Sequence, residues 1–190
     1  MEALLLSFGA VFVAELGDKS QLVTLTFAAR GRPLAVLGAV SVAAAVLHAG
    51  SVVAGTALRT ALPERALEIG GGLAFLVVAA VILAGVDGRG DRPDAGTTPP
   101  PAPRSLPLAA GGAFLVAELG DKTMLATIAL ASAYGALGTW AGATLGTVVA
   151  DGLAVAVGHQ LGTHLPLRTL RLATVAAFAG VGALLVVVGA

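Results

Sequence analysis

Six stretches of this chain are apolar over about 20 residues each, near positions 3–28, 34–58, 66–86, 106–131, 136–161 and 168–189. A helix needs about 20 apolar residues to cross the hydrocarbon core of a bilayer. Inside that core every backbone amide must be satisfied within the segment, and a helix does this. Only 12% of the residues are charged, half the ~25% usual in a soluble domain. The expected class is therefore an all-α membrane protein with six transmembrane helices. The breaks between segments are legible. Arg30-Gly31-Arg32-Pro33 ends the first, Arg59 to Glu68 with Pro63 separates the second and third, Ser132-Ala133-Tyr134-Gly135 forms the next turn, and His164 to Arg171 with Pro166 the last. Met1-Glu2 is not a basic leader, and Glu15, Asp18 and Lys19 interrupt the first apolar run, so a cleaved signal peptide is not expected.

Residues 87–105 read differently. Proline, glycine and mixed charge leave nothing to pack, so this stretch is expected to be a flexible aqueous linker. It separates a first three-helix repeat, 1–86, from a second, 106–190. The halves are copies. Val13-Ala14-Glu15-Leu16-Gly17-Asp18-Lys19 recurs as Val116-Ala117-Glu118-Leu119-Gly120-Asp121-Lys122. At the same offset, without gaps, Leu22 meets Leu125, Thr24 meets Thr127, Leu34 meets Leu137, Gly55 meets Gly158, Pro63 meets Pro166, Arg65 meets Arg168 and Phe75 meets Phe178. Seven successive identities make an internal duplication. A unit with an odd number of spans must be inverted when repeated, so two inverted three-helix repeats are expected, with a site between them at mid-membrane. Arg30, Arg32, Arg89, Arg92, Arg104, Arg168 and Arg171 fall on one side, against Arg59 and Arg65 on the other. The positive-inside rule then puts the linker in the cytoplasm and both termini outside.

The apolar spans contain Glu15, Asp18, Lys19, Glu118, Asp121, Lys122 and Asp151. Each charge at a helix centre costs roughly 2.5–3.5 kcal/mol, so seven cost on the order of 20 kcal/mol before compensation. That exceeds a typical folding stability of about 5–15 kcal/mol. These groups must face one another, water or a bound ion. On a regular helix Glu15, Asp18, Lys19 and Leu22 share one face, as do Glu118, Asp121, Lys122 and Leu125. Gly17 and Gly120 permit either close helix approach or a local break that exposes carbonyl oxygens.

Five carboxylates against two lysines leave a formal −3, which disfavours an anion and suits a divalent cation with oxygen ligands. Crowded carboxylates in a low-dielectric site also attract protons, so protons can replace a departing metal. The structural alternative is that Glu15–Lys19 and Glu118–Lys122 are helix-stabilising i,i+4 pairs, which leaves Asp18, Asp121 and Asp151 without cations. Lysine cannot ligate a metal, so Lys19 and Lys122 are expected to pair or gate. Asp151 and His48 occupy equivalent positions in the two repeats; Asp151 reads as functional, His48 as hydrogen-bonded to backbone or as a proton relay. On an ideal helix Ser20, Thr24, Thr123 and Thr127 point away from the acidic face, whereas Gln21 lies nearer Asp18 as an accessory ligand. His159 and His164 are expected near a solvated loop. The absence of cysteine excludes disulfides, thiolate zinc sites and thiol nucleophiles, and zero net charge suggests no nucleic-acid partner.

The hexapeptides Glu15-Leu16-Gly17-Asp18-Lys19-Ser20 and Glu118-Leu119-Gly120-Asp121-Lys122-Thr123 resemble the Glu-x-Gly-Asp-(Lys/Arg)-(Thr/Ser) signature of a family of cation/proton exchangers. That family includes Golgi manganese and calcium transporters and bacterial manganese exporters. The resemblance covers motif spacing, six spans and the central polar linker. It implies proton-coupled export of manganese, or calcium as second choice, from the cytoplasm across a bacterial plasma membrane. Carried over, the metal site is Glu15, Asp18, Glu118 and Asp121. Ser20 and Thr123 fill the signature's hydroxyl position, which favours a role for them beside Lys19, Lys122, Gln21 and Asp151. No cofactor is implied: the metal is the substrate, the protons and the lipid bilayer are the partners, and a homo-oligomer stands as an alternative to a monomer. The rival of another class is an exporter of a small cationic metabolite. A channel suits buried lysines and clustered acids less well, and no nucleophile or histidine metal triad supports an enzyme.

Overall fold

A computed structural model describes residues 1–30, 32–84, 105–161 and 167–189, without the side chains at 19, 22, 157–161, 167–171, 173 and 189. The chain is all-α, and no strand occurs among the described residues. The helices are α1 (Glu2–Glu15), α2 (Lys19–Ala29), α3 (Pro33–Ala61), α4 (Glu64–Ala84), α5 (Leu106–Glu118), α6 (Lys122–Tyr134), α7 (Ala136–Leu161) and α8 (Leu167–Gly189). Pro33 opens α3 at its first turn, where its missing N–H costs nothing. The turn after α6 narrows to Gly135, at φ +99°, because the helix continues through Tyr134 instead of ending near Ala131. Residues 87–104 of the expected linker, and His164, lie outside the described residues; so do the side chains of His159, Arg168 and Arg171.

The first and fourth apolar runs are each broken in two at the glycines that permitted a local break, so the regular-helix alternative does not hold there. α1 stops at Glu15 and α2 starts at Lys19; α5 stops at Glu118 and α6 starts at Lys122. The breaks have the same backbone form. Leu16 and Leu119 are extended, at φ −62° and ψ 113°, and φ −60° and ψ 117°. Gly17 and Gly120 both take φ +77°, a left-handed conformation that costs a residue with a Cβ about 1–2 kcal/mol. The shared face of Glu15, Asp18, Lys19 and Leu22 does not exist, because no helix runs through them.

The helices pair mainly across the halves. α1 lies along α7 in the same direction, with Gly138, Gly142 and Gly146 of α7 meeting Ala3 and Leu4, then Leu4 and Phe8, then Phe8 and Phe12. A Cβ on Gly142 would sit 2.3 Å from the Leu4 carbonyl oxygen, so this contact needs glycine. The corresponding pair is α5 on α3, where Gly111 faces Ala39. α4 and α8 run antiparallel through Gly72 and Gly182, with the Phe75 and Phe178 rings 5.1 Å apart. The Arg59 guanidinium at the end of α3 donates to the Ala133 carbonyl near the end of α6 at 3.2 Å and lies 3.9 Å from Glu64 at the start of α4. Those three helix ends therefore share one end of the bundle.

One apolar core joins Ala10, Ala14, Phe75, Leu130, Phe178 and Leu185; a second joins Val36, Val40, Leu106, Ala110 and Phe114. The outer surface is apolar too, including Val42, Val46 and Val53 on α3 and Leu73 and Val77 on α4. Polar groups inside and apolar side chains outside suit a lipid solvent. Among the described residues, α3 and α4 are long and apolar enough to cross a membrane by length and composition, and α5 is a shorter apolar helix.

Candidate metal centre

The two broken turns bring their acids together near the middle of the bundle. Glu15 closes α1 and Glu118 closes α5, and both are fully buried. The Ser20 hydroxyl donates to Glu15 Oε2 at 2.8 Å, and the Thr123 hydroxyl donates to Glu118 Oε2 at 2.7 Å. The ideal-helix reading, which turned these hydroxyls away from the acids, is thus corrected: the break swings the first turn of the next helix back over the preceding glutamate. The remaining oxygens, Glu15 Oε1 and Glu118 Oε1, are buried without a hydrogen bond. An unsatisfied buried carboxylate oxygen is costly unless something positive faces it.

Glu15, Asp18 and Glu118 each offer an oxygen, and these three atoms lie within 4.8 Å of one another. Oxygen ligands about 2.0–2.6 Å from a hard divalent cation stand at most roughly 4–5 Å apart, so one ion can touch all three. Asp121 is not in this group. Lys122 forms an ion pair with Asp18 of the other half, and its Nζ lies 3.4 Å from Asp121 Oδ2. The i,i+4 pairing of Glu118 with Lys122 is replaced, because Glu118 is hydrogen-bonded to Thr123 and the ammonium is turned toward the aspartates. Three carboxylates and the Lys122 ammonium carry a formal −2, the complement of a divalent cation. The Lys19 side chain is outside the described residues.

Gln21 braces the first broken turn. Its Oε1 accepts the Gly17 N–H at 2.8 Å and its Nε2 donates to the Ala150 carbonyl at 2.9 Å. The amide fixes the first broken turn against α7. In the second half, the Gly120 N–H approaches Met124 Sδ at 3.4 Å, so the same position supports the second break through sulfur.

Behind the acids, His48 on α3 reaches two hydroxyls rather than backbone. Thr127 Oγ1 lies 3.1 Å from Nδ1 and Thr147 Oγ1 3.2 Å from Nε2. Thr127 gives its single hydroxyl hydrogen to the Thr123 carbonyl at 2.8 Å. It must therefore accept from Nδ1–H, which leaves Nε2 to accept from Thr147. Thr147 was missed in the sequence; its signal was a polar residue four before Asp151 on a buried helix. Asp151 is fully buried on α7, its carboxyl set against the Thr24 hydroxyl and without a further hydrogen-bond partner.

Comparison with known proteins gives the same direction. The family model described as divalent cation/proton antiporter GDT1 matches residues 3–88 and 107–190. A protein of Vibrio cholerae named "Putative manganese exporter" is 32% identical over 181 residues, covering 94% of this chain and 87% of that protein. Protein PAM71, chloroplastic, of Arabidopsis thaliana is 40% identical over 78 residues, 41% of this chain and 21% of its own length. GDT1-like protein 1, chloroplastic, of Oryza sativa subsp. indica is 40% identical over 77 residues, 40% of this chain and 23% of that protein. No solved structure matches the chain.

Proposed function

The chain belongs to the GDT1 family of divalent cation/proton antiporters, and from that premise we propose that it exports manganese from the bacterial cytoplasm in exchange for protons, with calcium the second choice of ion. The observation that carries the reading is the convergence of Glu15, Asp18 and Glu118, with Glu15 Oε1 and Glu118 Oε1 bare. Manganese is preferred because the relative covering nearly the whole chain bears that ion in its name. Oxygens within 4.8 Å of one another favour a single ion over a larger cationic metabolite, which would force them apart.

In this mechanism Glu15, Asp18 and Glu118 hold the cation, with Ser20 and Thr123 orienting the two glutamates. Lys122 is the internal cation that neutralises Asp18 when no metal is bound. Arrival of the metal moves the ammonium toward Asp121, which thus serves as its alternative partner. Protons take up the carboxylate oxygens as the ion leaves, so metal and protons compete for one set of atoms. Lys19 is assigned the equivalent gating position by the sequence repeat.

The membrane arrangement proposed is six crossings as two inverted three-helix repeats, 1–86 and 106–190, joined by a cytoplasmic linker at 87–105 with both termini outside. Three features support it. The two breaks have the same backbone form. α1 pairs with α7 as α5 pairs with α3. The ends of α3 and α6 share one end of the bundle. Alternating access then amounts to opening the buried acids to one side and then the other.

The test is metal uptake into proteoliposomes, comparing manganese, calcium and magnesium with and without an imposed pH gradient. Gradient-dependent manganese flux lost in Asp18→Asn and Glu118→Gln is the expected result. Calcium preference would keep the mechanism and change the cargo. Flux indifferent to both the gradient and the acids would overturn it.

A further inference from the structure

The repeat relates His48 to Asp151 and Thr127 to Thr24, so the His48–Thr127 contact has a counterpart in the pair Asp151–Thr24. The first pair is closed. His48 bonds Thr127 and Thr147, and Thr127 bonds the Thr123 carbonyl. The second pair is open. Asp151 on α7 and Thr24 on α2 are both fully buried and set against each other, and neither the carboxyl nor the Thr24 hydroxyl has any further hydrogen-bond partner. The residue equivalent to Thr147 is Ala44, so no third hydroxyl stands where His48 has one. Two positions that the duplication made alike now carry different chemistry.

The groups facing Asp151 from the packed elements are chiefly acidic. Glu15 comes from α1, Asp18 from the first broken turn and Glu118 from α5. On α3, His48 has both ring nitrogens in hydrogen bonds with neutral hydroxyls. On α6, the Lys122 ammonium is paired with Asp18 and near Asp121. Lys19 begins α2, with its side chain outside the described residues. An ionised carboxylate left in this position carries a penalty of several kcal/mol. One proton on either oxygen removes the charge and supplies an O–H for Thr24 to accept.

We propose that Asp151, with Thr24 beside it, is a proton-carrying position separate from the carboxylates that hold the metal, and that it contributes a proton to each exchange cycle. This rests on the exchanger reading above. Asp151 makes no hydrogen bond to Glu15, Asp18 or Glu118 and is outside the group whose oxygens converge on one ion. Its proton therefore need not be displaced by the metal at the same atoms. Coupling runs instead through the charge of the cluster: a divalent cation among the three acids makes a negative Asp151 tolerable, and loss of that cation draws a proton back onto it.

The test uses the full chain in proteoliposomes, with manganese as the probe, a pH-sensitive dye inside, and manganese affinity measured separately in detergent. Asp151→Asn is expected still to bind manganese, but more weakly and with a shallower dependence of affinity on pH than the parent, while moving fewer protons per manganese. Asp151→Glu is expected to restore the parent ratio. Thr24→Val, which leaves the carboxyl in place, is expected to shift the pH midpoint of exchange with the number of protons moved per manganese unchanged. Loss of manganese binding in D151N with binding retained in D151E would make Asp151 a ligand and overturn the proposal. An unchanged proton ratio in D151N, or an unmoved midpoint in T24V, would overturn it as well. Manganese flux in the parent without any proton counter-flow would overturn the exchanger reading itself, an outcome distinct from failure of Asp151 alone.

Discussion

Replacing Gly120 by alanine separates a broken from a continuous helix by the sign of its effect. Gly120 takes φ +77°, and a Cβ built on it meets nothing within 4 Å. No steric clash contributes, so the whole cost is that of the left-handed backbone, about 1–2 kcal/mol. If the motif were continuous helix, the same change would stabilise it by about 0.8–1.0 kcal/mol, the difference in helix propensity between glycine and alanine. The two architectures therefore differ by roughly 2–3 kcal/mol, a sizeable part of a typical total of about 5–15 kcal/mol. Gly112 provides the internal control. It lies inside α5, without positive φ and with nothing within 4 Å of a Cβ, so Gly112→Ala should stabilise by about 0.5–1 kcal/mol. Reversible unfolding in mixed micelles of increasing SDS fraction measures both. Gly120→Asn should cost less than Gly120→Ala, because asparagine visits the left-handed region more readily. If G120A and G112A stabilised the protein alike, the break and the site geometry built on it would be refuted.

Three further outcomes follow from the site and its packing. Ser20→Ala or Thr123→Val removes a hydrogen bond to a carboxylate, about 1.5–3 kcal/mol, and should weaken manganese binding roughly tenfold to a hundredfold in titration calorimetry; Thr123→Ser should retain it, and unaltered affinity in all three would contradict the orienting role. Glu15→Gln, Asp18→Asn and Glu118→Gln should each abolish manganese binding, whereas Asp121→Asn should weaken it less, since Asp121 lies outside the converging oxygens; equal loss in all four would restore Asp121 as a ligand. Gly142→Leu should prevent a monodisperse protein by size-exclusion chromatography, because its Cβ would meet the Leu4 carbonyl at 2.3 Å, while Gly9→Ala, with nothing within 4 Å, should behave as the parent.

The apolar periods located the helices to within a few residues, and the duplication located the acids, because burial in lipid and sequence identity both leave linear traces. The breaks left none. Glu15, Asp18 and Lys19 have helical spacing, and a glycine at Gly17 is compatible with a bent or a straight helix until its φ is known. Once the backbone turns there, faces inferred from spacing no longer apply, which is why Ser20 and Thr123 turn toward the glutamates and Gln21 braces the backbone. Lys122 with Asp18, and His48 with Thr147, are partnerships between halves. Local spacing favoured the neighbour four residues away in the first case and backbone in the second.

The glycine seam between α1 and α7 has a consequence for how such a chain assembles. α1 finds its closest fit on a helix made much later, α5 finds its fit on α3 of the earlier half, and α4 meets α8 through Gly72 and Gly182. A ribosome delivering this chain therefore releases a first half whose main contact surfaces have no occupant yet. Its apolar faces must wait, solvated by lipid, until the second half brings the glycines of α5, α7 and α8 that interlock with them. Severing the chain between the halves should yield two fragments that are each incomplete but recover the fold when made in the same membrane, as two hands clasp only when both are present.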